Sequence, residues 1–75
     1  MKIEKGSLLW VNHSRSGKWQ GRAKETFDTD NIEWFPIELV SDRVDGLITT
    51  WYKGDDMPCR NTLCKITVIH NGKKV

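Results

Sequence analysis

Gly6-Ser-Leu-Leu-Trp-Val-Asn-His-Ser-Arg-Ser-Gly-Lys-Trp-Gln-Gly-Arg-Ala23 holds the clearest structural pattern in the chain. Leu9 and Val11 alternate with Leu8, Trp10 and Asn12, which is the period of a half-buried strand ending at His13. Ser14, Arg15, Ser16 and Gly17 form a turn cluster. The chain then alternates again: Trp19, Gly21 and Ala23 on one face, Lys18, Gln20, Arg22 and Lys24 on the other. Cations alternating with small or aromatic residues mark one buried and one solvated face. Gly21, inside the second strand, marks a bulge, a sharp bend or a close approach of another backbone. Small barrels turn their corners in this way.

Beyond this segment, strand-length runs rich in Val, Ile, Thr and Trp are separated by turn residues, and no longer stretch has helical periodicity. Five strands are predicted, over residues 7–13, 18–27, 33–40, 44–52 and 63–70. In the third, Phe35, Ile37 and Leu39 share a face opposite Trp34, Pro36 and Glu38. Pro36 lacks a donor, which places that strand at an edge or at a bulge. In the fifth, Cys64, Ile66 and Val68 share a face. Residues 28–31 read as a turn, residues 53–61 as the longest irregular loop and residues 71–75 as a frayed tail. The pattern is that of an all-β barrel or sandwich, in a single domain over residues 1–75.

The chain has 75 residues, 29% of them charged and 37% hydrophobic. A single domain of this length buries only about 60% of its unfolded surface, too little to wall a deep enzyme cleft. The net charge of +2 is unevenly spread. Residues 1–24 carry six cations against Glu4, residues 25–56 carry nine acids against Arg43 and Lys53, and residues 57–75 carry only cations. This dipolar pattern differs from the uniformly basic surface of a general polyanion binder. No apolar run approaches the roughly 20 residues of a membrane span. The first five residues lack the apolar core of a signal peptide. A cytoplasmic setting is expected, with Cys59 and Cys64 reduced.

The first two predicted strands resemble KOW-type and related SH3-like small barrels, through Gly6, Leu9, Val11, Gly17, Lys18, Gly21 and Ala23, and with this resemblance the expected fold is a single small five-stranded SH3-like barrel, all-β, over residues 1–75. Ser7 stands where that pattern has an acid, and Gly17-Lys18 reverses its Lys-Gly order. The chain also resembles small uncharacterised phage and prophage proteins, through Gly17-Lys-Trp-Gln-Gly21, Phe27-Asp28, Trp34-Phe-Pro-Ile37 and Gly54-Asp-Asp-Met-Pro-Cys-Arg60. That resemblance implies an origin in a mobile element and a bacterial host protein as target.

Four tryptophans exceed what a small core needs. Trp19 falls on the Gly21 and Ala23 side and is expected in the core. Trp10 and Trp34 fall on the opposite faces, either as contact rings or beneath a terminal tail. The expected function is non-enzymatic protein binding, and the second resemblance implies a phage-encoded modulator or inhibitor of a host protein. Its anchors are Trp10, Trp34 and Trp51, with Arg22 and Arg60 as charged partners, because aromatics and Arg dominate interfaces. The alternative is RNA or single-stranded DNA binding through Lys18, Arg22, Lys24 and Trp10, cations for phosphate and a ring for stacking. The third is a structural or self-associating subunit pairing through an edge strand such as residues 33–40.

Cys59 and Cys64, spaced Cys-x4-Cys, are read as buried thiols; a local disulfide is the next alternative, and a zinc site with His13 and His70 requires all four to meet at one end of the barrel. Asp28, Asp30, Asp55 and Asp56 read as solvated loop acids. No Ser-His-Asp arrangement, phosphate-cradling loop or dinucleotide motif is present. No catalytic residue, metal or cofactor is expected, and no membrane partner.

Overall fold

The computed structural model describes residues 1–72. Among them the strands are β1 (Lys2–Ile3), β2 (Leu8–His13), β3 (Gly17–Ala23), β4 (Phe27–Asp28), β5 (Trp34–Leu39), β6 (Arg43–Asp45), β7 (Thr50–Tyr52), β8 (Asp56–Arg60) and β9 (Cys64–His70), with a 3-10 turn at Asn61–Leu63. The protein is all-β. Its main sheet has five antiparallel strands in the order β8-β5-β3-β2-β9. Two short ladders flank it, β1 with β4 and β6 with β7.

The β2–β3 hairpin forms where the alternation predicts it. His13 pairs with Gly17 across a three-residue turn. Gly17 takes φ +82°, a conformation costly for residues with a Cβ, and so closes the turn. Leu9, Val11, Trp19 and Ala23 are buried, and Phe35, Ile37 and Leu39 join them from β5. Gly21 provides a close approach: a Cβ there collides with the Ile37 side chain and crowds the Trp19 ring. Ile3 and Phe27 from the β1–β4 ladder, Val44 from β6 and Met57 and Cys59 from β8 complete the core.

Several sequence expectations need correction. The predicted second strand ends at Ala23, and Phe27 belongs to its own short ladder. The predicted fourth strand is a hairpin: Gly46 donates its N–H to the Thr49 carbonyl at 2.7 Å, so Leu47 and Ile48 are its tip. The predicted loop over residues 53–61 contains β8, with Met57 and Cys59 turned inward.

The third predicted strand, β5, is interior, between β3 and β8. A self-pairing edge at residues 33–40 is therefore ruled out; the edges are β8 and β9. Pro36 is tolerated because of where its missing donor falls. Its carbonyl accepts the Lys24 N–H at 2.8 Å, just beyond the β3–β5 ladder, so the absent N–H lies at the ladder's end. On its other side Pro36 faces Pro58, at a position where an antiparallel pair exchanges no hydrogen bonds.

The sheet curls. His13, near one side of the strand order, reaches β8 at the other, with Nε2 3.2 Å from the Pro58 carbonyl. At the chain's end, Gly72 donates its N–H to the buried Ser7 hydroxyl at 3.0 Å. Of the tail expected to fray over residues 71–75, residues 73–75 lie outside the described residues.

Candidate functional site

An apolar groove of about 400 Å³ opens between the start of β5, the middle of β8 and the β6–β7 hairpin. Trp34, Leu47, Ile48, Trp51, Met57 and Leu63 supply most of its lining, with His13 and Arg15 from the β2–β3 turn at one side. Each is placed by a local rule. Trp34 occupies the outward phase of β5, opposite Phe35 and Ile37, and is 51% exposed. Trp51 is half-buried, packs against the core and lies close over Gly46, where any side chain would strike its ring. The hairpin tip next to Gly46 stands in water, with Leu47 87% and Ile48 98% exposed.

His13 forms one wall. The backbone N–H of Arg15 donates to its Nδ1 at 3.1 Å. A backbone N–H can only donate, so Nδ1 accepts and the ring proton sits on Nε2, which donates to the Pro58 carbonyl. Both nitrogens are engaged, and no carboxylate lines the groove. Trp19 lies beneath this end of the sheet, its Nε1–H donating to the Ser16 hydroxyl at 3.0 Å, which ties the turn to the core.

The groove gathers Trp34 and Trp51 but not Trp10. Arg60 stands beside it, with its guanidinium 5.5 Å from the Trp34 ring centre and 2.6 Å from the Glu33 carboxylate. Trp10 and Arg22 lie on the outer sheet face. There the strand register lines up Lys18, Asn12 and Lys65 in one row and Gln20, Trp10 and Thr67 in the next. Trp10 is half-buried, with the Lys18 ammonium 4.9 Å from its ring centre. Arg22 donates to the Gly6 carbonyl at 2.8 Å and faces Glu38 across the ladder. Lys24 is held by Asp56 at 2.7 Å, and this hydrogen bond raises its pKa. The basic strand thus meets part of the acidic middle segment in the fold. Even so, β2, β3 and β9 contain no Asp or Glu, and the sheet's acids lie on β5 and β8.

Cys59 and Cys64 are free and buried. The Cys64 thiol donates to the Arg60 carbonyl at 3.2 Å. A hydrogen bond with Cys64, then burial, push the Cys59 thiol well above its ordinary value; the same bond lowers that of Cys64. His13 pairs across the ladder with Cys64, but His70 lies at the far end of β9, about 20 Å along the strand. The four zinc candidates do not converge, and no group of metal-ligating side chains forms among the described residues. Asp28 and Asp30 both hold the N-terminal ammonium, at 3.3 and 3.1 Å. No helix among these residues is long and apolar enough to cross a membrane.

Sequence reasoning missed Leu47, Ile48, Met57 and Leu63. One signal was present: Asp45-Gly46 followed by two apolar residues and then Thr49-Thr50, a turn with a hydrophobic tip. No family model, curated protein or solved structure matches the chain.

Proposed function

We propose that this protein is a non-enzymatic binding module built as a small SH3-like barrel, and that it takes an apolar segment of a partner protein into the groove. The barrel reading is supported by the strand order and the curl. β2, β3, β5 and β8 run as a meander, β9 returns beside β2, and a three-residue turn joins the two ends of the sheet. His13 then spans the interior to Pro58.

The exposure of Leu47 and Ile48 at the lip of a groove containing two tryptophans carries the binding reading. Burying one such aliphatic side chain is worth roughly 1.5–3 kcal/mol, so leaving two in water at a turn is costly unless something covers them. Arg15 sits at the mouth with no ion pair among the described residues, which favours a partner segment with an acid beside its apolar residues. Engagement of both His13 nitrogens and the absence of a carboxylate in the lining favour binding over catalysis. On the motif resemblance to phage and prophage proteins, the partner is a bacterial host protein and the setting cytoplasmic.

The nucleic-acid reading draws less support, because Lys18 already covers Trp10 and Lys24 is bound to Asp56. Parallel captures from a bacterial lysate test the proposal, using the native chain, Trp34→Ala and Leu47→Ser/Ile48→Ser. A partner held by the native chain and lost by folded variants supports it; unchanged capture by both variants refutes it. A labelled oligonucleotide titrated at low salt and displaced as salt rises would favour the alternative.

A further inference from the structure

The two edges of the main sheet are built differently. Along β8, the Leu39 N–H donates to the Asp55 carbonyl at 2.8 Å. This sets the phase: Met57 and Cys59 bond toward β5, and Pro58 turns its backbone outward. Pro58 has no N–H to offer, and its carbonyl is taken by His13. That edge is blocked at its centre.

β9 has no proline or capped carbonyl at its centre; its register shifts only near its end, where Ile69 is left without a partner between Val68, opposite Leu9, and His70, opposite Leu8. The Ser14 N–H donates to the Leu63 carbonyl at 2.9 Å. Leu63, Lys65 and Thr67 therefore bond toward β2, and Ile66 and Val68 aim their N–H and C=O groups away from the sheet. Among the described residues no hydrogen bond reaches these groups. β9 is seven residues long and contains no proline, and Val68 and Ile69 are exposed beside half-buried Ile66. Open edges of this kind are usually blunted in natural sheets.

We infer that β9 is a second docking site, separate from the groove, which accepts an extended segment of another protein as a sixth strand. The register specifies that segment's chemistry. On the outer face it lies beside Lys65, in line with Lys18, on three strands that contain no acid. On the inner face it lies beside Ile66 and Val68. A strand alternating acidic and apolar side chains matches both faces; an identical copy of β9, whose charged residue is Lys65, does not match the outer one.

Amide spectra of the full chain, titrated with a peptide alternating Glu and Val and matched in length to β9, test this. The same peptide N-methylated at every amide is the comparison. The unmethylated peptide is expected to protect the Ile66 and Val68 amides from exchange and to bind at least tenfold tighter, a ratio set by about 1.4 kcal/mol. Val68→Pro removes an outward N–H while sparing the β2 ladder, and is expected to abolish binding with the fold intact. If Val68→Pro does not fold, the two peptides decide the matter alone. Equal affinity of the two peptides, or no binding of either, overturns the inference. So does protection of the same amides by oligo-dT or by a concentration-dependent dimer without peptide.

Discussion

The His13 imidazole joins β2 to Pro58 on β8 across the interior, Nε2 to O 3.2 Å, while Arg15 fixes its other nitrogen. One side chain thus satisfies the carbonyl of a residue that has no N–H, and holds the turn beside the groove. His13→Ala leaves the Pro58 carbonyl and the Arg15 N–H without these partners. A loss of about 1–3 kcal/mol in urea unfolding is expected; an unchanged midpoint and slope would show that the link does not hold the curl.

Gly21 is required for space and not for φ. Gly21→Ala places a methyl group against Ile37 and is expected to cost about 1–3 kcal/mol as overpacking. Adding Ile37→Ala removes the colliding methyl, so the double variant should lose less than the sum of the single losses. Strict additivity in a double-mutant cycle would count against the contact.

Leu47 and Ile48 should be dispensable for folding. Leu47→Ser/Ile48→Ser is expected to shift stability by no more than about 0.5 kcal/mol for each change, because both side chains already stand in water. A large drop in thermal midpoint would make the tip part of the core instead of a contact surface.

These residues also show what the sequence made legible. Period-two alternation reported the facing of Leu9, Val11, Trp19, Ala23, Phe35, Ile37 and Leu39, because each strand has one dry face and one wet face. It failed at β8, where Met57 and Cys59 do alternate but Pro58 lies between them and Gly54, Asp55 and Asp56 lead in. Only the register, with Pro58 opposite Pro36, shows why two prolines fit side by side in a sheet. It failed again at Leu47 and Ile48, whose strand-forming character is overridden by the turn that Gly46 and Thr49 close. The groove was half legible for the same reason: Trp34 and Trp51 were named, but their neighbours came from segments read as a continuous strand and as a loop.

The two thiols should react in a fixed order. Cys64, with its pKa lowered by the Cys59 hydrogen bond, is expected to take up iodoacetamide before Cys59, which is held up by that bond and by burial. Mass spectrometry of partly alkylated native protein reads the order. Cys59→Ala removes the donor and should slow the reaction at Cys64; faster modification of Cys59 would reverse the assignment.

Asp28 gives the acid limb of stability a direction. The Asp30 N–H, at 2.9 Å, together with the N-terminal ammonium and Asn31, holds its carboxyl below the usual range. A carboxylate depressed in the folded state stabilises above its unfolded pKa, and that contribution is lost as pH falls through the lower folded value. Carboxyl NMR should find Asp28 still ionised where an unperturbed Asp has begun to protonate, and Asp28→Asn should flatten the acid side of the stability curve. Titration of Asp28 at or above the ordinary value would remove the basis for that shape.

The separation of charge along the sheet has a kinetic consequence. Acids are absent from β2, β3 and β9 but present on β5 and β8, so the sheet's acids are confined to one side of its strand order. A charged partner would rotate the protein during approach, before any side chains touch, and would meet the β9 side first if it is anionic. Added salt should then slow arrival much more than it shortens residence, a split that stopped-flow mixing at two ionic strengths resolves.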